Sequence, residues 1–307
     1  MAFHMAKGAQ TANVIHILGD TYVIDTGDQY VPFYEIGDGN IILLDSGYKE
    51  DRGLIEGALE SRGYRVAAIA CTHAHVDHAG NNAYFREKYG CLIAMPELEA
   101  LLTSNVLNLK LMNQYLSMTD INERVSHMVC ETDIRVPLTD TVVGLCGREF
   151  RFIPTVGHTT SHMSIVTPDD VIYLGDAIIS TEVLSGMKLP YFFSVADYIE
   201  TLNEIQNFKF SKYLIAHRGS SDEIWNIAKK NIEGCMARIE IIYNLIDRPM
   251  TMEDIFKAAV NEFYINVGTI KKHLVIERMF KPYADYLFDT GRLKRVLDNG
   301  FLKYMRT

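Results

Sequence analysis

The sequence predicts an α+β fold, and three observations carry that prediction. Short apolar runs separated by turn signals fill Val14 to Leu44, and runs of the same kind return from Ile134 to Val166. Between these groups, apolar residues fall at helical spacing over 50–63, 82–89 and 97–128. Beyond Gly219 the strand pattern ends and helical spacing takes over. The 307 residues, 48% hydrophobic and 22% charged, can bury a large core, and they divide into 1–220 and a smaller helical region at 221–307.

The elements follow in order. Thr21-Tyr22-Val23-Ile24-Asp25 and, after the turn at Gly37-Asp38-Gly39-Asn40, Ile41-Ile42-Leu43-Leu44 read as hairpin-linked strands, the second running into Asp45-Ser46-Gly47. Leu54, Ile55, Ala58 and Leu59 share one helix face, and Gly63 stops that helix. Val66 to Cys71 is a short buried strand that delivers Thr72. Asn82 to Tyr89 is a helix, and Cys91 to Ala94 the next strand. Residues 97–128 are helical and rich in Leu and Met, which fill the core or cap a pocket. Strands follow at Thr141-Val142-Val143, Glu149 to Ile153, Ser164 to Val166 and Val171 to Leu174. In the tail, Ser221 to Leu245 is a long amphipathic helix, Thr251 to Asp254 resembles a cap, Val267-Gly268-Thr269 opens another helix, and Asn299 to Tyr304 looks like a small terminal wing.

The densest chemical signal is His73-Ala74-His75-Val76-Asp77-His78, three imidazoles and a carboxylate in six positions. Imidazole nitrogen and carboxylate oxygen are the usual ligands of zinc and similar divalent metals. Alternation sends His73 and His75 to one side, while Asp77 and His78 can face a second point nearby. Further candidates close strands downstream: Gly157-His158 with His162 in the same loop, Gly175-Asp176, and His217 before Arg218-Gly219.

Taken together, the HxHxDH cluster, a later Gly-His, a strand-ending Gly-Asp and a final strand-ending His resemble the metallo-beta-lactamase superfamily, with Asp45 in the Leu-Asp-Ser-Gly that precedes the cluster. The resemblance spans about residues 14 to 220. It implies a four-layer αββα sandwich, with His73, His75 and His158 on one metal, Asp77, His78 and His217 on the other, and Asp176 between them. Asp45 and His162 would support the ligands from behind. The implied cofactors are two divalent ions, zinc first, with iron or manganese suited to the same donors. The implied activity is hydrolysis of a small acyl ester or thioester by a hydroxide shared between the ions, with Asp77 in the catalytic machinery. Two motifs depart from the family pattern: Thr160-Ser161 stand where Pro-Gly is common, and Ala216-His217-Arg218-Gly219 replaces Pro-Gly-His-Gly. Arg218 could touch an anionic substrate or be solvated. The tail is similar to the winged-helix-like tail of a superfamily subgroup, with a substrate-shaping or dimerising role, and Lys271, Lys272, Arg292, Lys294 and Arg295 could touch an anionic polymer, a coenzyme-like thioester or a partner subunit, or form a solvated face.

Other functions rank lower. A net charge of −9 weighs against broad RNA or DNA contact, which places a phosphodiesterase or endoribonuclease second. A persulfide dioxygenase-like iron enzyme uses fewer ligands than this chain offers, and a DNA-binding regulator with structural zinc would be closed and rich in thiolate. Five unpaired-looking cysteines suit a reducing cytoplasm, with Cys71 and Cys146 as small buried groups. No stretch has the length and apolarity of a membrane span. His4, His16, His127 and His273 match no motif and default to surface or satisfied positions.

Overall fold

The computed structural model describes residues 12–307; His4 lies outside the described residues. The first sheet is a seven-stranded run in chain order: β1 (Asn13–Leu18), β2 (Thr21–Asp25), β3 (Tyr30–Gly37), β4 (Asn40–Leu44), β5 (Arg65–Ala70), β6 (Leu92–Pro96) and β7 (Ile134–Val136). The first four strands are antiparallel, and β4 to β7 are parallel. Parallel neighbours need crossovers, which α1 (Arg52–Glu60), α2 (Asn82–Tyr89), α3 (Glu97–Thr103), α4 (Val106–Met112) and α5 (Met118–Arg124) supply. The 97–128 stretch is broken into three helices because Asn105 caps α4 and a Ser117–Asp120 capping box starts α5.

The second sheet has the order β13-β12-β11-β10-β9-β8, built from β8 (Thr141–Leu145), β9 (Arg148–Pro154), β10 (Met163–Val166), β11 (Val171–Tyr173), β12 (Lys212–Ile215) and β13 (Gly219–Ser221). Here β13 extends the strand pattern past Gly219, folding back antiparallel on β12. Cys146 is exposed in the β8–β9 turn at φ +49°, not buried, because the turn lifts it off the sheet. Helices α6 (Thr181–Gly186) and α7 (Val195–Ile205) link β11 to β12. The tail is α8 (Trp225–Leu245), α9 (Met252–Glu262), α10 (Ile270–Asp289) and the hairpin β14 (Leu293–Asp298) to β15 (Phe301–Arg306), turned by Asn299-Gly300, both at positive φ.

Strand alternation produces the layers. Ile42, Leu44, Ala68 and Ala70 face the second sheet and meet Phe150, Phe152, Ile165, Tyr173 and Leu214, whereas Ile41, Leu43, Val66 and Ile69 face outward onto Ile55, Leu59, Phe85 and Ile121. On the far side, Ile172, Tyr213 and Ile215 pack with Leu202, Ile239, Phe280 and Tyr283, so α8 and α10 share one core with the second sheet. The result is an αββα sandwich. Because β4 and β5 run parallel, as do β11 and β12, their carboxyl ends open at the same edges of the two sheets, and the candidate residues follow those ends.

Candidate metal centre

Backbone geometry locks the histidine turn. The N–H groups of His78 and Ala79 both donate to the His75 carbonyl, at 3.0 and 2.9 Å, which curls the chain back after the extended His73–His75 segment. Gly80 lies so close to its surroundings that a Cβ would meet the Val76 carbonyl at 2.3 Å and the Gly47 carbonyl at 2.8 Å. Asp45, buried and held at φ +62° just after β4, takes the Thr72 N–H and hydroxyl, each at 2.8 Å, and binds His78 Nδ1 at 2.7 Å. That last contact leaves His78 Nε2 to face the centre.

Two groups of donor atoms result, each with all its atoms within 4.8 Å of one another: His73, His75, His158 and Asp176, and Asp77, His78, Asp176 and His217. In the first, His75 Nδ1 lies 2.9 Å from His73 Nε2 and 2.8 Å from His158 Nε2, while Asp176 Oδ2 lies 3.2 Å from His158. In the second, His78 Nε2 is 3.4 Å from Asp176 Oδ1 and 3.7 Å from Asp77 Oδ2; His217 Nε2 is 3.3 and 3.5 Å from the same two oxygens. Asp176 therefore offers one oxygen to each group. A tetrahedral ion bound at about 2.1 Å spaces its ligands roughly 3.4 Å apart, close to the second set of distances. His78 Nε2 and Asp176 Oδ1 are also buried without a hydrogen-bond partner, a costly state for polar atoms unless a cation completes them. The residues present thus fit two divalent ions.

Electrostatics separate the groups. Burial, reinforced by neighbouring imidazoles, pushes His73 well below the usual histidine range; burial with His158 and Arg278 does the same to His75, and burial takes His158 down to about 4. Burial also opposes charge on His78 and His217, but Asp176 and Asp77 outweigh it, raising His78 well up and His217 to about 9. Against the upward push of burial, His78 and His217 hold Asp77 and Asp176 ionised.

Supporting residues surround this shell. His162 does not point at the ions' position: its Nδ1 meets Thr155 Oγ1 at 2.9 Å and its Nε2 accepts the Asp176 N–H at 3.2 Å. Gly175, at φ +51°, lets His162 and Thr72 close in, since a Cβ there would sit 2.7 Å from His162 Nε2. Glu99 of α3, which sequence reasoning passed over as one helix residue among many, is buried beneath both loops. It accepts the Ala74 N–H at 3.1 Å, the Ser161 hydroxyl at 3.0 Å and the Thr159 hydroxyl at 2.5 Å, tying the histidine turn to the 157–162 loop. Arg218 is exposed at φ +56°, while His127 is half-buried with a partnerless Nε2, contrary to its default as a surface or satisfied histidine. A cavity of about 410 Å³ opens beside the centre, walled partly by the 97–128 segment through Met112, Leu116, Val125 and Met128, with His75 and, from α10, Arg278 also in its lining.

The model of the metallo-beta-lactamase superfamily matches residues 25–217. A hydroxyacylglutathione hydrolase from Rhodopseudomonas palustris (strain HaA2) is 31% identical over 124 residues, covering 40% of this chain and 38% of that protein. One from Thiobacillus denitrificans is 27% identical over 128 residues, covering 42% and 39%. The chain thus spans about two fifths of the length of the curated relatives it matches. The solved structure of a metallo-beta-lactamase family protein from Thermus thermophilus superposes with a TM-score of 0.70 at 18% identity, covering 94% of this chain and 99% of that one. A beta-lactamase domain protein from Burkholderia ambifaria gives 0.69 at 16% identity, covering 96% and 94%, so the shared fold runs on into the tail. Among the described residues no helix is long and apolar enough to cross a membrane. With the family's match running from Asp25 to His217 and enclosing the whole ligand cluster, the chain belongs to the metallo-beta-lactamase superfamily.

Proposed function

We propose that this protein is a two-metal hydrolase of small acyl thioesters or esters, with zinc as the resident metal. The observation that carries this reading is the Asp176 carboxylate shared between two complete donor groups, one of them with orphaned buried atoms. His73, His75 and His158 would hold one ion, Asp77, His78 and His217 the other, and Asp176 both. Ions held there lower the pKa of water to near 7 and polarise a carbonyl. The chain's own part is orientation: Asp45 fixes the His78 ring, His162 fixes the Asp176 backbone, and Glu99 joins the two histidine loops. Asp77, kept ionised by His78 and His217, would be the carboxylate that accepts a proton from the attacking water.

The acyl thioester preference draws on the hydroxyacylglutathione hydrolases, whose named substrate joins an acyl carbon to a thiol sulfur. The test is metal analysis of protein purified without chelator, coupled to a panel of thioesters, lactones, phosphodiesters and RNA. The expected result is two zinc ions per chain, thioester turnover, and loss of both on chelation with recovery on zinc addition. Full activity in metal-free protein, or in both Asp77→Ala and His78→Ala, would overturn the reading.

A further inference from the structure

We propose that Arg278, together with Tyr115 and Tyr191, forms a recognition site for a carboxylate on the substrate, next to the metal centre. The inference rests on the thioester reading above. Arg278 projects from α10 of the tail into the gap between the centre and the 410 Å³ cavity, and it borders both. Its Nη2 donates to Tyr191 Oη at 2.8 Å and approaches His75 Nε2 at 3.3 Å, and its Nη1 reaches Tyr115 Oη at 3.4 Å. Both tyrosine rings also flank it, with centroids 4.2 and 5.1 Å from the guanidinium carbon.

What the cluster lacks is an anion. Several other arginines pair with acids, as Arg86 does with Asp133, Arg151 with Asp140 and Arg292 with Glu240. Among the described residues no carboxylate lies within ion-pair distance of Arg278, although it is mostly sequestered from water. Even a partly buried cation is costly without a partner, and two phenol oxygens are weak substitutes for a carboxylate. A guanidinium has five donors in a planar fork that matches a carboxylate, and these contacts do not use them all. The location is informative: Arg278 faces Nε2 of His75, whose Nδ1 faces the centre, so the bound anion would sit about one imidazole ring from the reacting carbonyl. The cavity beyond has apolar walls at Met112, Val125 and Met128 and a lining of mixed charge, with Lys49, Arg124 and Lys271 beside Glu50 and Glu123, so the charge that marks an anion site is that of Arg278, which also borders the centre.

The carboxylate could belong to the acyl group or to the leaving thiol, and three thioesters separate these cases. S-glutaryl-N-acetylcysteamine carries it on the acyl side, S-pentanoyl-3-mercaptopropionate on the thiol side, and S-pentanoyl-N-acetylcysteamine on neither. With the metal-loaded enzyme, Arg278→Gln should raise KM for one carboxylated thioester by about 10- to 100-fold, with kcat and the neutral substrate little changed. Arg278→Lys should recover part of the loss, and metal content should stay at the wild-type value. Equal loss on all three substrates, or loss of metal, would show that Arg278 only steadies His75 and would overturn the proposal. If wild-type enzyme turns over none of the three, the thioester reading fails, and calorimetry decides the site separately. Glutarate should then bind the metal-loaded protein at least tenfold tighter than pentanoate, an advantage absent from Arg278→Gln; equal binding of the two acids would reject the carboxylate site.

Discussion

One half of the centre is built from three imidazoles, the other from two imidazoles and a carboxylate of its own, and Asp176 serves both. The difference decides how each half behaves before metal arrives. Burial keeps His73, His75 and His158 neutral, ready to coordinate without releasing a proton. In the other half Asp77 and Asp176 hold protons on His78 and His217, so a metal ion must displace them. Each half also has a buried acid behind it, Glu99 bracing the turn that carries His73 and His75 and Asp45 gripping His78. A two-metal site assembled this way should fill in sequence, the tri-imidazole half first as pH rises from the acid side.

The largest effect should break both halves together. Asp176→Ala removes a donor from each group and should abolish stoichiometric binding of both ions, whereas His158→Ala and His217→Ala should each leave close to one ion per chain by elemental analysis. All three should lose more hydrolytic activity than the 10- to 100-fold typical of changes behind the ligands. If His158→Ala and His217→Ala both retained two ions, the assignment of separate halves would be wrong.

Next in size is the pH profile of stability in the metal-free protein. His217, raised from 6.5 to about 9, stabilises the fold fully below pH 6.5 and loses that contribution as pH rises toward 9. His158, lowered from 6.5 to about 4, contributes fully above pH 6.5 and loses it as pH falls toward 4. Each is worth at most about 3 kcal/mol, so metal-free Tm should peak near neutrality and fall on both sides. Metal replaces the protons of the acid-rich half, so zinc-loaded protein should lose the alkaline decline. Thermal melts from pH 5 to 9 with and without zinc measure this, and a metal-free Tm rising steadily to pH 9 would refute it.

A smaller effect separates the two buried acids. Asp45→Asn should weaken the second ion's binding by about 10- to 100-fold, because His78 loses the acceptor that sets its tautomer, and the first ion's by less, through the Thr72 hydroxyl that Asp45 holds against His73 Nδ1. Glu99→Gln should do the reverse and more mildly, since its contacts act through the Ala74 backbone and two hydroxyls. Zinc titration against a chelating dye at fixed pH resolves the two affinities.

How much of this was legible beforehand depends on how each residue is encoded. The seven candidate donors could be picked out because they stand at strand ends in dense, chemically unusual spacing, and the helices and strands around them follow ordinary apolar periodicity. Glu99, Tyr115, Tyr191 and Arg278 could not. Each is a common residue inside a helix or loop, and its role exists only because packing brings positions 75, 115, 191 and 278 together. The loops at 157–162 and 217–219 were harder for a different reason: their departures from the family pattern changed the residues without revealing how the backbone would respond, and His217 reaches the centre with Arg218 following it at positive φ.

The smallest expected effect concerns the arginine beside each half. Arg278 lies against His75 of the tri-imidazole half and is sequestered, whereas Arg218 follows His217 of the acid-rich half and is exposed. Nearness in sequence to a ligand is therefore a poor guide to which arginine meets the substrate: after the left-handed turn at Arg218 its side chain lies in water, where a charge gains little from an anion. Arg218→Ala should change kcat/KM for either carboxylated thioester by less than about twofold, and stability by no more than about 0.5 kcal/mol, as for other surface substitutions. A loss on Arg218→Ala as large and as carboxylate-dependent as that on Arg278→Gln would transfer anion recognition from the tri-imidazole half to the acid-rich half.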